Sequence, residues 1–291
     1  MSTLYVVGTP IGNLNEVSPR VRETLSACPV ILAEDTRVTQ KLLSALDIGG
    51  KQLISCHQHN EAGRAAQIIE RMLQEDISVA MVTDAGTPCI SDPGWRVVDA
   101  AVQAGIAVQP ISGPSAVVDA LSVSGLDVDS YAFFGFIPRE GKERSEAFAR
   151  IRSCGLGVAV VYESPHRIKK LVEDIAKELS DPKVSVSCDL TKYYELTLRG
   201  KASDVLQKLN ENPNTEKGEY VCVIDLHDLP EEEEGISGVS AHGLLLERLF
   251  NGMRMKDAVK EVSALPGFTR NEVYKASLEV ADFLAGEEEE E

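Results

Sequence analysis

Two short loops carry the residue types from which a ligand site is built. The first, VVGTPIGN at residues 6–13, and the second, MVTDAGTPCISDPG at residues 81–94, both place Gly, Thr and Pro directly after an apolar run. Neither contains a lysine. Neither has the G-x-x-x-x-G-K-[ST] spacing that cradles a triphosphate, nor the G-x-G-x-x-G of a dinucleotide fingerprint. Pro10 and Pro88 offer no N–H to a phosphate and stiffen the loop wall instead. Loops of this kind suit a ligand held by shape and a few backbone bonds, such as a nucleoside without phosphates.

Other polar residues cluster in predicted loops. Asp35 and Arg37 stand in EDTR, His57 and Glu61 in HQHNE, Asp84 heads the second Gly/Thr/Pro loop, and Lys192 follows an apolar run. Each is a candidate to take or aim a proton. His57 and His59 have a spacing a metal could use, but no third ligand is spaced to join them, which rules out a metal centre on this reading. His166, Arg167, Lys169 and Lys170 open a predicted helix, where cations oppose the helix dipole. A phosphate backbone offsets that opposition; a solvated basic turn is the alternative. Arg139 lies in a second basic stretch, IPREGKER.

The elements that position these loops alternate. Strands are predicted at 3–8, 30–34, 77–83 and 106–111, with helices at 18–28, 36–46, 62–74 and 93–105, Ser18 and Asp92 serving as caps. QLISC adds a further strand. Strands alternating with helices imply a mostly parallel sheet covered on both faces. A second series holds strands at 131–136, 157–162, 183–190, 195–200 and 219–226, the third and fourth forming an antiparallel pair, with helices at 142–153, 167–179 and 202–210. This gives an α/β protein with an N-terminal domain at 1–112, a second α/β domain at 113–229, an acidic linker at 230–239, a helical C-terminal domain at 240–286 and an acidic tail at 287–291. In the last domain Thr269 and Glu272 form a capping box, and ALPGFT makes a turn. Its three helices are compatible with a helix-turn-helix unit or with a packing or dimerisation module.

The 291 residues carry a net charge of −17, which argues against a nucleic-acid partner, yet the glutamate runs 231–234 and 287–291 account for nine of those charges. Any polyanion must land on local basic patches. No apolar run approaches the ~20 residues of a membrane helix, and MSTLYVVG has no basic leader region, so a cytoplasmic protein is expected. The six cysteines are scattered, without a C-x-x-C pair, and read as reduced structural thiols.

LYVVGTPIGNL, AEDTR, HQHNE, TDAGTPCISDPGW, SGPSA, GFIPR, YESPHRI, LTK and KGEYV occur in an order that resembles the bacterial 16S ribosomal RNA (cytidine-2′-O)-methyltransferases of the tetrapyrrole methylase superfamily. The resemblance runs from about residue 4 to 226, and the helical C-terminus resembles an extension some members carry. It implies a two-domain tetrapyrrole methylase-like fold, a homodimer, and S-adenosylmethionine held in the cleft between the α/β domains. By this likeness Pro10, Asp84, Gly86, Thr87, Ile90, Ser115, Ala116, Glu163 and Leu190 border the cofactor. His57, Glu61, Asp35 and Lys192 are the candidates for chemistry, while Arg37, Arg139, His166, Arg167 and Lys169 grip RNA. The implied acceptor is a cytidine ribose in the decoding centre of 16S RNA in the small ribosomal subunit, turned outward to reach the methyl group. This chain departs from the pattern before LTK, where Cys188-Asp189 stands for an Arg-Glu pair. A methylase acting on a tetrapyrrole or a protein side chain, and a catalytically silent RNA-binding factor, remain the alternatives.

Overall fold

The computed structural model describes residues 2–230, 240–265 and 268–287. The acidic run 231–234, residues 288–291 of the acidic tail and the centre of the predicted ALPGFT turn, 266–267, lie outside them. The chain forms two compact units, Met1–Leu229 and Pro230–Glu291.

In the first unit, β1 (Thr3–Val7), β2 (Val30–Ala33), β3 (Gln52–Ser55), β4 (Val79–Val82) and β5 (Ala107–Ile111) make an all-parallel sheet of order β3-β2-β4-β1-β5. These strands are apolar on both faces because helices cover both. Alternate residues feed separate cores: Leu4, Leu32 and Met81 pack with α3 (Glu61–Glu75) and α4 (Trp95–Gln103), whereas Val7, Ile31 and Val82 pack with α1 (Pro19–Ala27) and α2 (Thr36–Ala45). The chain therefore leaves β1 toward one face and β4, its neighbour, toward the other. Divergence of adjacent connections opens a crevice at the carboxyl ends of the strands, and both Gly/Thr/Pro loops lie there.

The second sheet of this unit is mixed. β6 (Tyr131–Phe136), β7 (Val158–Glu163), β8 (Lys183–Cys188), β9 (Leu196–Lys201) and β10 (Tyr220–Asp225) take the order β6-β7-β10-β8-β9, and only β6 and β7 run parallel. The antiparallel pair expected at 183–190 and 195–200 is β8 with β9. One face packs on α6 (Gly141–Arg152), α7 (Ile168–Glu178) and α8 (Ala202–Glu211). The other packs on α5 (Ala116–Ser122), a helix too short for periodicity to reveal in the sequence. Ile11, from the first loop, packs against this second core, so the loop is anchored in both halves.

Side-chain caps open several of the helices. The Ser18 hydroxyl accepts the Val21 N–H, as expected. Asp92 does not cap α4: the N-cap residue is Gly94 at φ 135°, a backbone state that glycine tolerates and other residues rarely adopt. The cap comes instead from Glu61, whose carboxylate accepts the N–H groups of Gly94 and Arg96, each at 2.8 Å.

The second unit contains α9 (Ala241–Phe250), α10 (Met255–Val262) and α11 (Arg270–Glu287) around Leu244, Leu245, Val262, Val273 and Val280. Its capping box forms in both directions: Thr269 N–H donates to the Glu272 carboxylate at 3.0 Å, and Glu272 N–H to the Thr269 hydroxyl at 3.3 Å.

Candidate active site

The two loops meet through a backbone bridge. Thr9 N–H donates to the Gly86 carbonyl at 2.9 Å, and Gly86 N–H to the Thr9 carbonyl at 3.1 Å. The first loop also lies backbone to backbone against SGPSA. A Cβ on Gly8 would stand 2.7 Å from the Gly113 nitrogen, and one on Gly113 2.7 Å from the Gly8 carbonyl carbon, so both positions require glycine. Three loops are thereby locked at the crevice between the sheets.

A cavity of about 420 Å³ opens on one side of the bridge, within the ~300–1,000 Å³ range of small-molecule sites. Gly86, Thr87, Ile90, Ser115, Ala116 and Glu163 line it, six of the nine residues expected there. Pro10 and Asp84 line a neighbouring cavity of about 420 Å³, which is floored by α2. Leu190 is 8% exposed and packs in the second core behind the wall. Sequence reasoning missed Ile11, Asp92, Phe136 and Tyr162, which also face the first cavity. Ile11 and Asp92 lay inside the quoted loops; nothing in the sequence brought β6 and β7 to the same place.

Glu163 shows what this cavity is made to hold. It is 2% exposed; one carboxylate oxygen accepts from Ser164 N–H at 2.7 Å and pairs with Arg167 at 2.5 Å, while Oε2 has no partner. A buried acceptor left empty is costly. A ligand bringing a hydroxyl or amino donor satisfies it, and no lysine or arginine lines the cavity to call for a phosphate. The apolar walls at Ile11, Ile90, Phe136 and Val221 suit a purine and a thioalkyl chain. These features fit S-adenosylmethionine.

The residues proposed for chemistry are dispersed. Asp35 caps α2 through Arg37 N–H at 2.8 Å and is clasped by the Arg37 guanidinium at 2.6 Å. The hydrogen bond from that guanidinium, foremost, holds the Asp35 carboxyl down at about 2, which makes it a weak base. Glu61, 4% exposed, is spent on α4 and does not line the cofactor cavity. Lys192 pairs with Asp189 at 2.8 Å and Glu219 at 2.9 Å. Asp189 thus supplies a charge at the departure from the family pattern. His57 has its N–H capped by Asn60 at 2.8 Å and a buried Nδ1 without a partner.

The basic residues divide as sharply. Arg167 is held by Glu163, and His166 lies 3.9 Å from Glu216. Carboxylates therefore stand beside two of the cations that oppose the α7 dipole. Arg139 is exposed and Lys169 half-buried, and neither pairs with a carboxylate among the described residues.

A third feature was not visible in the sequence. Thr83, 3% exposed, gives its hydroxyl proton to Glu34 at 2.5 Å and also touches the carboxylate of Asp92. Glu34 further accepts Asp84 N–H at 3.4 Å, and Asp84 accepts Asp35 N–H at 3.1 Å. Three carboxylates, Glu34, Asp84 and Asp92, thus gather beneath the loop bridge. Burial first, then the charge of Glu34 and of Asp84, pushes Asp92 up to about 6.

Comparison with known proteins places these features. Residues 3–206 match the model of the Tetrapyrrole (Corrin/Porphyrin) Methylases. A protein named ribosomal RNA small subunit methyltransferase I from Halalkalibacterium halodurans is 38% identical over 94% of this chain and 93% of its own. One of the same name from Escherichia coli O157:H7 is 36% identical over 95% of this chain and 94% of its own. Among solved structures, diphthine synthase aligns with TM-score 0.58 at 13% identity, covering 79% of this chain and 91% of its own. The uroporphyrin-III-C-methyltransferase of Thermus thermophilus aligns with TM-score 0.52 at 17% identity, covering 78% of this chain and 95% of its own. At those identities the structures establish the fold alone.

Proposed function

The chain belongs to the tetrapyrrole (corrin/porphyrin) methylase family, and from that premise we propose that it methylates the 2′-hydroxyl of a cytidine in the decoding centre of 16S ribosomal RNA. It is an S-adenosylmethionine-dependent methyltransferase. The proposed setting is the small ribosomal subunit in the cytoplasm, with the enzyme as a homodimer.

One observation carries the choice of acceptor. Relatives named ribosomal RNA small subunit methyltransferase I match 94–96% of this chain, so their likeness runs through most of the second unit. The tetrapyrrole and diphthine enzymes cover 77–79%, a share about the size of the first unit. The helical unit is thus shared with the ribosomal group and not with the rest, which supports a ribosomal RNA acceptor.

Bound S-adenosylmethionine supplies an electrophilic methyl group on a cationic sulfur. The protein's part is to hold the donor, to aim the ribose oxygen and to receive its proton. Glu163 and Ser115 fix the nucleoside end, and the rigid Gly86-Thr87 turn with Ile90 excludes water beside it. A dry, oriented encounter supplies much of the acceleration. Arg139 and Lys169 stand for RNA phosphates, which position the strand without reading its sequence. Asp35 positions the start of α2 with Arg37, Lys192 positions the loop that carries Glu219, and His57 does the same for the start of α3. The test is transfer from radiolabelled S-adenosylmethionine to small subunits, naked 16S RNA and total protein, with mass mapping of labelled nucleosides. Label in 2′-O-methylcytidine is expected; label confined to protein or to a small molecule overturns the reading.

A further inference from the structure

We propose that Asp92 is the group that removes the proton from the acceptor hydroxyl, with Thr83 and Glu34 as its positioning residues. The inference rests on the methyl-transfer reading above but needs only that the acceptor be a hydroxyl.

The Thr83 hydroxyl stands between two carboxylates: it donates to Glu34 at 2.5 Å and also interacts with Asp92. Its contact favours the ionised form of Asp92, while burial and the charges of Glu34 and Asp84 oppose that form. Asp92 is therefore ionised yet receptive to a proton, and Thr83 is itself fixed because its carbonyl accepts the Thr9 hydroxyl at 3.2 Å.

Location supports the same role. Asp92 lines the cavity that fits the methyl donor, while Thr83 lines the neighbouring cavity across the loop bridge. The groups that face Asp92 come from every surrounding element: Glu34 after β2, Asp84 after β4, Cys89 within the loop, and Tyr162 on β7. Glu34 and Asp84 add negative charge, and among the described residues no cation acts on Asp92 directly. A carboxylate that stays ionised at neutral pH yet takes up a proton readily is the state a general base needs. Asp35, clasped by Arg37, lacks that readiness.

The step balances. The O–H bond of the acceptor breaks, its proton goes to an Asp92 oxygen, and the oxygen's electron pair forms the new C–O bond. The sulfur–methyl bond breaks with its electron pair left on sulfur, giving a neutral thioether. Asp92 afterwards returns the proton to water.

The experiment measures initial rates of transfer to small subunits from pH 5 to 9, beside calorimetric binding of S-adenosylmethionine. Wild-type protein is expected to show an acid limb in kcat/KM near pH 6, the profile of the free enzyme. Asp92→Asn should lose about 100-fold or more in rate and lose that limb, with cofactor affinity within about threefold of wild type. An acid limb that persists in Asp92→Asn overturns the assignment. So does a selective loss of cofactor affinity with kcat kept, which would make Asp92 a binding residue. Glu34→Gln guards against a variant that fails to fold: removing the neighbouring negative charge should move the limb to lower pH, and an unmoved limb also overturns the proposal. Label found on protein in place of RNA would overturn the acceptor reading, and the same pH comparison on that acceptor then decides Asp92.

Discussion

Asp174 and Asp92 are both shielded aspartates, and the protein treats their charges in opposite ways. Asp174, on α7, is 9% exposed and enclosed by cations: Arg144 reaches it at 2.7 Å and Lys170 at 2.8 Å. Arg144 also donates to the Pro138 carbonyl at 2.7 Å, so one guanidinium ties the β6–α6 loop to α7. Asp92 has only a shared hydroxyl and two like-charged neighbours. The helical face of the second sheet is electrostatically finished. The loop end of the first sheet leaves Asp92 incompletely paired, and across the crevice Glu163, at the end of β7 in the second sheet, is left wanting a donor. Fully paired charge gives rigidity, whereas incomplete pairing marks where a ligand and a reaction complete the structure.

Removing the countercharge should have the largest effect. Arg144→Ala is expected to cost about 3–5 kcal/mol, because it strips a buried carboxylate of its main partner; urea denaturation at pH 7 measures it. A loss below ~1 kcal/mol would mean that Lys170 alone suffices, and the contrast between the two aspartates would weaken.

Next comes a charge that is met by backbone dipoles. Glu61→Ala leaves one buried and one part-buried N–H group at the start of α4 without an acceptor, for an expected cost of about 2–3 kcal/mol. Glu61→Gln keeps an acceptor oxygen and should cost about 1 kcal/mol. Because the same contact holds the end of the second loop, Glu61→Ala should also weaken S-adenosylmethionine binding several-fold, read by calorimetry. Unchanged binding would detach the cap from the site.

The smallest effect has the opposite sign. Asp92 is raised in the folded state from 3.8 to about 6, so its contribution to stability is full below pH 4 and lost as pH rises through 6. Asp92→Asn avoids that loss. The variant should match wild type near pH 4 and melt slightly higher than wild type at pH 8; a lower melting temperature at pH 8 would place Asp92 with Asp174 among the structural carboxylates.

The distinction between these regions was only partly legible. Ser18, the Thr269–Glu272 box and the β8–β9 pair could be read because their partners lie three to eighteen residues apart, within reach of local pattern. The two Gly/Thr/Pro loops could be read as a site for a similar reason: proline and glycine declare their backbone preferences in place. Asp92 was expected as a cap from its position before Pro93, yet the cap is Glu61, over thirty residues earlier. The pairing of Arg167 with Glu163, four residues away, was not legible, because it crosses a turn whose shape the sequence did not disclose.

What the sequence determined alone was the order of the strands and of every helix long enough to show a period, the lysine-free character of the loops and hence the kind of ligand, all properties of near neighbours along the chain. Tertiary structure decided which charges are neutralised and which are kept hungry. Solvation and Coulomb energies depend on distances in space and on burial, and both exist only once the two sheets have brought residues 34, 83, 92 and 163 around one crevice.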